Sequence, residues 1–317
     1  MSLGAVGSRA RFYWKEESVA GTAPAGDWDQ FPAFSLRVGT APSLNADSIL
    51  SSGTTRDAAD PYQGVARVEG QAVVPVDTVH FGKWLQWMMG DATSSGSTNF
   101  THVFKSGAAT LTTRAIEKAF LDLTRYEVAA GARANGFEIG VGPDGSAQAT
   151  VPIMCLSEAL AGSSAAGTPV VTAYTRFFAT QGSISRAGSA LAGVTAGTIR
   201  FSNGFTPVPT IGSGTGIGGI DAGESTGGGS ITARFASHTL RTASIANTPA
   251  SISFAYTIDA NTSVTFLYPR CFLEPITTAV EGPGGITQQF NFTAAFDASE
   301  ACLLKVTLKN QVATYTG

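Results

Sequence analysis

Gly142-Pro143-Asp144-Gly145-Ser146-Ala147-Gln148, running on as ATVPI, has an echo at Gly282-Pro283-Gly284-Gly285-Ile286-Thr287-Gln288, running on as QFNFT. Each reads as a turn feeding a β-strand. Proline presets φ at the first turn corner, glycine admits positive φ, and the β-branched and aromatic residues that follow suit a pleated surface. The two turns stand 140 residues apart (282 − 142 = 140).

The echo extends upstream. Phe34-Ser35-Leu36-Arg37-Val38 is followed by a long polar stretch and then by the strand-like VARVEGQAVVPV, Val65 to Val76. Its counterpart is Gly197-Thr198-Ile199-Arg200-Phe201, a second long polar stretch, and GSITARFAS, Gly229 to Ser237. Leu36 aligns with Ile199 and Val68 with Ile231, an offset of 163 both times (199 − 36 and 231 − 68). Because the offset then falls to 140, the first copy carries 23 extra residues between Val76 and Gly142 (163 − 140 = 23). The repeated order of strand, long loop, strand, turn and strand predicts a mainly β chain of two tandem, similar domains of β-sandwich or curled-sheet type. The domains are placed at residues 31–181 and 182–317, after an N-terminal arm of residues 1–30.

At 317 residues the chain is long enough for two domains that each bury a core. Charged residues are 14% of the chain, against a usual value of about 25%. A surface so poor in charge points to burial against other copies of the chain. The net charge of −3 gives no basic footprint for gripping a nucleic-acid backbone. Three cysteines, Cys155, Cys271 and Cys302, have no CxxC spacing and read as buried small hydrophobes rather than a disulfide framework or a zinc site. The N-terminal stretch lacks the apolar core of a signal peptide and no run approaches 18 apolar residues, so synthesis and folding in a cytoplasm, with no membrane, are expected.

Two long connections occupy matching places. Ala41 to Gln63 contains Asp47, Arg56, Asp57 and Asp60, and Asn203 to Gly228 contains Asp221 and Glu224. Connections of this length are uncommon in compact domains and tend to serve function. In TVHFGKWLQWMMG, Phe81, Trp84, Leu85 and Met88 fall at i, i+3, i+4 and i+7, one apolar face of a helix that covers a sheet and stops at Gly90. A shorter equivalent is expected within Thr239 to Ala246. The small-residue stretch Glu158 to Pro169 reads as a linker, leading through the strand-like Val170 to Phe178 to a boundary near Gln181.

No catalytic, cofactor or metal constellation stands out. Gly214-Thr215-Gly216-Ile217-Gly218-Gly219 has the letters GxGxxG, but DAGESTGGGS after it would make a poor helix, so no pyrophosphate site is expected. His80, His102 and His238 lack ligand spacing. The acidic pairs Asp27 with Asp29 and Asp57 with Asp60 read as solvated loop charge.

With EESVAGTAP at Glu16 to Pro24, TIRFSNG at Thr198 to Gly204, EGPGG at Glu281 to Gly285 and VTLKN at Val306 to Asn310, the chain resembles the tail tube (major tail) proteins of long-tailed bacteriophages with a non-contractile tail. The resemblance implies curled-sheet domains, each with a flanking helix, closing into rings of six that stack helically into a channel for the genome. A two-domain chain would make the ring as a homotrimer with pseudo-sixfold symmetry. The connections carrying Asp47, Arg56, Asp57, Asp60, Asp221 and Glu224 would reach the next ring, and the insert of the first copy would make the two domains unequal on the outer wall. The expected partners are the chain itself, other tail proteins at the tube ends, and a tape measure protein and DNA in the lumen without tight binding. Residence in the virion and no cofactor complete the expectation. A tandem β-sandwich adhesin or carbohydrate-binding module is the alternative.

Overall fold

The computed structural model describes residues 4–47, 60–211, 217–280 and 282–316. Its first half runs β1 (Ala10–Glu16), β2 (Asp29–Gln30), β3 (Ser35–Asn45), β4 (Tyr62–Pro75), α1 (His80–Met89), β5 (Thr93–Gly96), β6 (Phe100–Lys105), β7 (Arg114–Phe120), β8 (Arg125–Ala134), β9 (Gly136–Val141), β10 (Gln148–Cys155) and β11 (Ser157–Ala161). The second runs β12 (Gly182–Arg186), β13 (Ser189–Ala190), β14 (Val194–Ser202), β15 (Thr206–Pro209), β16 (Ile217–Asp221), β17 (Thr226–Arg234), α2 (Thr239–Ile245), β18 (Ala250–Asp259), β19 (Thr262–Leu273), β20 (Thr287–Ala294) and β21 (Lys305–Asn310). The fold is mainly β, as the sequence predicts, and every ladder is antiparallel.

One layer runs continuously through both halves in the order β3–β4–β10–β9–β14–β17–β20. The opposing layer is in two parts, β2–β1–β7–β8–β11 and β13–β12–β18–β19–β21–β6–β5. Strands β8 and β19 start in that layer and end beside β10 and β20, joining the layers at their ends.

The order of pairings recurs. β1, β3, β4, α1, β7, β8 with β9, β10 and β11 take the places that β12, β14, β17, α2, β18, β19, β20 and β21 take in the second half. A hydrogen bond fixes the match: the Asn135 N–H donates to the Pro152 carbonyl, and the Glu274 N–H to that of Asn291, both at 2.9 Å. The offset in β10 and β20 is therefore 139 (291 − 152), not the 140 between the Gly-Pro turns. At 139, Ala149, Val151, Ile153 and Cys155 fall on Gln288, Phe290, Phe292 and Ala294, all buried. At 140, buried Ala149 would fall on exposed Gln289. Strand side chains alternate faces, so a slip of one residue exchanges core for solvent.

Other details depart from the sequence reading. Part of the segment expected to be an arm is structural: β1 pairs along its whole length with β7 and buries Trp14, while Trp28 is fully buried. The side chain of Glu17 ties the following loop down, accepting from the Gly21 and Gly131 N–H groups and from Thr113 Oγ1. The expected linker includes β11 from Glu158 to Ala161, and its Ala166 is buried with its carbonyl accepting from the Trp28 N–H. Both halves carry a helix, and the β5–β6 hairpin, which has no counterpart among the described residues of the second half, supplies extra length to the first. β6 then pairs with β21, where Val306 lies opposite Phe104. The main core runs unbroken through both halves, with Phe81 and Phe137 against Phe266.

Helix α1 is the hub of that core. Asp77 Oδ1 accepts from the Val79 and His80 N–H groups at 2.7 and 2.6 Å, satisfying donors that a helix start leaves bare. Gly90, at φ +88°, ends it. Phe81, Trp84, Leu85 and Met88 are all buried, but so is nearly every other residue, and only Lys83 reaches out, to Asp29 at 2.6 Å. The helix is packed between layers instead of lying over one sheet. Gly82 is required because a Cβ there would stand 2.2 Å from the Tyr315 ring, whose hydroxyl donates to the Val79 carbonyl. The C-terminal tail thus pins a helix of the first half.

Beside it Arg114 is buried under the Trp14 ring, 4.5 Å away, and donates to Gln86 Oε1, while its Nε has no partner among the described residues. Burial pushes its pKa down to about 10 against the upward pull of Glu16 and Asp29. A guanidinium with no carboxylate bonded to it is costly here, so Arg114→Met is expected to hold stability or raise it by about 1–3 kcal/mol. Urea denaturation checks this, and a loss of more than about 2 kcal/mol would show that the tryptophan contacts outweigh the desolvation.

Candidate functional site

The continuous seven-strand layer buries one face and turns the other, concave face outward. Along β20, Gln288, Phe290, Phe292 and Ala294 are buried while Thr287, Gln289, Asn291 and Thr293 are exposed. β4 does the same with Ala66, Val68, Ala72 and Val74 inward and Arg67, Glu69 and Gln71 outward. The centre of the concave face is a groove of ≈ 640 Å³ lined by Gln71, Glu138, Thr150, Arg200, Asn291 and Thr293 among others. Its side chains are mostly short or uncharged. Seven charged residues flank or line it: Arg37, Arg67, Arg200 and Arg234 against Glu69, Glu138 and Glu274, all exposed.

Several of those groups are partnered across strands. Glu138 and Arg200 lie directly opposite at the β9–β14 seam and meet through two contacts of 3.2 Å. Thr198 Oγ1 and Ser230 Oγ are 2.9 Å apart, and Asn291 Nδ2 donates to Glu274 Oε2 at 2.9 Å. A face of this kind offers water a continuous set of partners and offers a polyanion no unbroken row of cations.

The groups that chemistry would need are elsewhere and engaged. His102 is buried between Ser94, Asn310 and the Val312 carbonyl, and burial lowers its pKa despite those hydrogen bonds. Burial raises all three thiols, that of Cys271 to about 12, which leaves them protonated and unreactive. Among the described residues no cluster of three or more His, Cys, Asp or Glu is placed to hold a metal ion. Asp27 accepts from the Thr168 N–H and Asp29 pairs with Lys83, so this acidic pair is tied into the fold. Part of the GxGxxG stretch lies outside the described residues, and Ile217–Asp221 within and after it is a strand, not the helix a pyrophosphate site needs. No helix among the described residues is long and apolar enough to cross a membrane.

The ends of the layer are its second feature. At one end β3 pairs, among the described residues, with β4 alone. At the other, Pro275 to Val280 continues from β19 beside β20, where Gln288 Nε2 donates to Thr278 Oγ1 at 2.6 Å. Under the offset of 139 this segment holds the place of β9. In the first half β9 goes on to pair with β14, whereas among the described residues no backbone hydrogen bond joins Pro275 to Val280 to a further strand.

Each of the two long connections includes a β-ribbon. β3 and β4 stay paired out to Asn45 opposite Tyr62, whereas β10 accompanies β4 only from Val68 to Pro75. β15 and β16 form a separate two-stranded sheet at the matching place in the second half. Asp47, Asp60, Asp221 and Glu224 are exposed on or next to these ribbons, and Arg56 and Asp57 lie outside the described residues. The concave-face residues were not singled out from the sequence. Their signal was the alternation in GSITARFAS and ITQQFNFTA, whose polar members are the ones turned outward.

A family model described as phage tail tube protein matches residues 7–294, nearly the whole chain. No curated protein matches it.

Proposed function

The chain belongs to the phage tail tube protein family, and from that premise we propose that three copies close into a ring of six similar units whose concave faces line a bore for DNA. Rings then stack through the paired ribbons into a tube, so the protein is a structural component of the virion tail and not an enzyme. The two halves, placed at 31–181 and 182–317, act as the repeating units. Other tail proteins meet the tube at its ends, and a tape measure protein occupies the bore before DNA does.

The observation that carries this reading is the seam inside the chain. β9 of the first half pairs with β14 of the second over Gly136 to Val141, making one continuous wall from two units. The same two edges recur unpaired at the ends of the layer, as Pro275 to Val280 and β3. Joining them between chains repeats a contact that the molecule already makes, which is how a closed ring avoids exposed strand edges. The bore so formed carries four arginines and three glutamates per chain among the residues named above, a balance that lets a polyanion slide past without capture. The exposed aromatics Phe34, Tyr62, Tyr174, Phe178 and Phe296 come from four different stretches of chain, and none of them lines the groove as a sugar-binding platform would require.

The register follows. Gly140 lies opposite Thr198 in the internal seam. Carrying Gly140 forward by 139 gives Ala279, and carrying Thr198 back by 161 gives Arg37 (198 − 161), the offset that the β3–β4 and β14–β17 registers share with 139. Opposed residues of this kind have Cα atoms about 4.5–5.5 Å apart, within reach of a disulfide. The double variant Arg37→Cys with Ala279→Cys is expected to give a covalent trimer on a non-reducing gel, and neither single variant should. Absence of any covalent species in the oxidised double variant would remove the edge-to-edge ring.

A further inference from the structure

The outer edge of β3 is closed, in the free chain, by two side chains instead of a strand. The Thr40 N–H donates to Glu158 Oε2 at 2.7 Å and the Thr40 hydroxyl to the same oxygen at 2.7 Å. Two residues away, Lys118 Nζ donates to the Val38 carbonyl at 2.6 Å. Glu158 comes from β11 and Lys118 from β7, both in the opposing layer, and Lys118 also pairs with Glu127 and stands 3.8 Å from Glu158 Oε1. The fit is close: a Cβ on Gly39 would meet Glu158 Oε1 at 3.3 Å, so any other residue there would push the carboxylate back by a few tenths of an ångström. On β14 the matching residues, Ile199 and Phe201, have strand partners in that direction, Ile139 and Phe137 of β9. Two charged side chains therefore stand on β3 where a strand stands on β14.

We propose that Glu158 and Lys118 are a removable guard on this edge, closed in the isolated chain and displaced when Pro275 to Val280 of a second copy adds to β3. The inference rests on the edge-to-edge ring proposed above. An unpaired edge of this length is a template for indiscriminate strand addition, and charges laid over it suppress that. Opening is not prohibitive, because the two displaced side chains are already within ion-pair range of each other and Lys118 keeps Glu127. The guard sets the concentration at which copies join, and it leaves the joined contact itself to the backbone.

The test compares wild type with Glu158→Ala/Lys118→Ala by sedimentation velocity and negative-stain imaging over a concentration series, with circular dichroism to verify the fold. The double variant is expected to assemble at a concentration about tenfold lower than wild type. In the unassembled variant the Thr40 amide is expected to exchange its hydrogen at least about tenfold faster. Lys118→Arg retains the donor to Val38 and should behave as wild type. If the double variant misfolds, Glu158→Ala alone is expected to lower the threshold in the same direction. A folded variant whose assembly threshold equals or exceeds that of wild type overturns the guard, while the Arg37–Ala279 cross-link, if it forms, leaves the ring intact. Failure of that cross-link in the guarded chain removes both.

Discussion

Chains lacking residues 46–61, with β3 joined to β4 through an Asn-Gly turn, are expected to fold and to form rings but no tubes. The deletion is local because Asn45 and Tyr62 are already a cross-strand pair, so a two-residue turn of the type that suits hairpin twist closes the ribbon without changing its register. Stability should stay within about 0.5 kcal/mol, since the removed segment lies beyond the last residue that β10 shares with β4. What the deletion removes is the segment bearing Asp47, Arg56, Asp57 and Asp60, while the apolar side chains at its base stay in place. The projecting ribbon exposes Leu44, Tyr62 and Val65 at 68, 50 and 52%, side chains that an isolated domain has no reason to hold out in water. Just beyond β15 of the second ribbon, Ile211 is fully exposed. On the proposed stacking, the segment with Asp47, Arg56, Asp57 and Asp60 would supply the contact with the neighbouring ring, beside the apolar side chains at its base. Electron microscopy of concentrated protein reads the result directly. Tubes of ordinary length from the deleted chain would remove the ribbon from the stacking contact, while loss of rings as well would show that it acts within the ring.

Much of this architecture was legible before any coordinates. The β-branched and aromatic runs after each glycine-rich turn became β10 and β20, and the matched pairs Leu36 with Ile199 and Val68 with Ile231 fell in matched strands on the correct face. They did so because offset errors of two residues (163 against 161) and of four (163 against 159) both preserve the face of a strand, whereas the error of one between the turns does not. Turn spacing measures loop length as well as strand position, so Gly142 and Gly282 mark the repeat without registering it. The period-3.6 stripe of α1 located the helix correctly. It could not show that the remaining sides are buried too, because the partners, Trp14 and Tyr315, come from the two ends of the chain. The segment from Glu16 to Pro24 reads as free for the opposite reason: it is held chiefly by Glu17, whose carboxylate reaches Thr113 and Gly131, and by the Trp28 indole donating to the Pro24 carbonyl, contacts with no local sequence pattern. The concave face was hidden in plain alternation. Polar residues at every second position are what any half-exposed strand shows, and only the strand order assembles them into one surface.

The largest effect on stability is expected from Trp84. Its ring lies 4.6 Å from that of Trp14 and 5.3 Å from that of Trp87, with Phe31 edge-on at 5.6 Å, and it is 1% exposed. Trp84→Ala removes the largest block of this cluster and leaves a cavity that packed layers on either side of the helix cannot close, so a loss of about 3–5 kcal/mol is expected. Because the core is continuous, the loss should appear in a single transition that unfolds both halves, not in one half alone. Trp84→Phe separates packing from polarity. The indole N–H groups of Trp14, Trp84 and Trp87 are all buried with no acceptor among the described residues, so shortening Trp84 to a phenyl ring forfeits contact area but also relieves one unsatisfied donor. The two changes oppose each other, and the net cost should stay below about 1.5 kcal/mol. Denaturant titrations of the two variants, followed by circular dichroism, decide the matter. Equal losses for phenylalanine and alanine would mean that the indole nitrogen, and not the ring, is what the helix needs at this position.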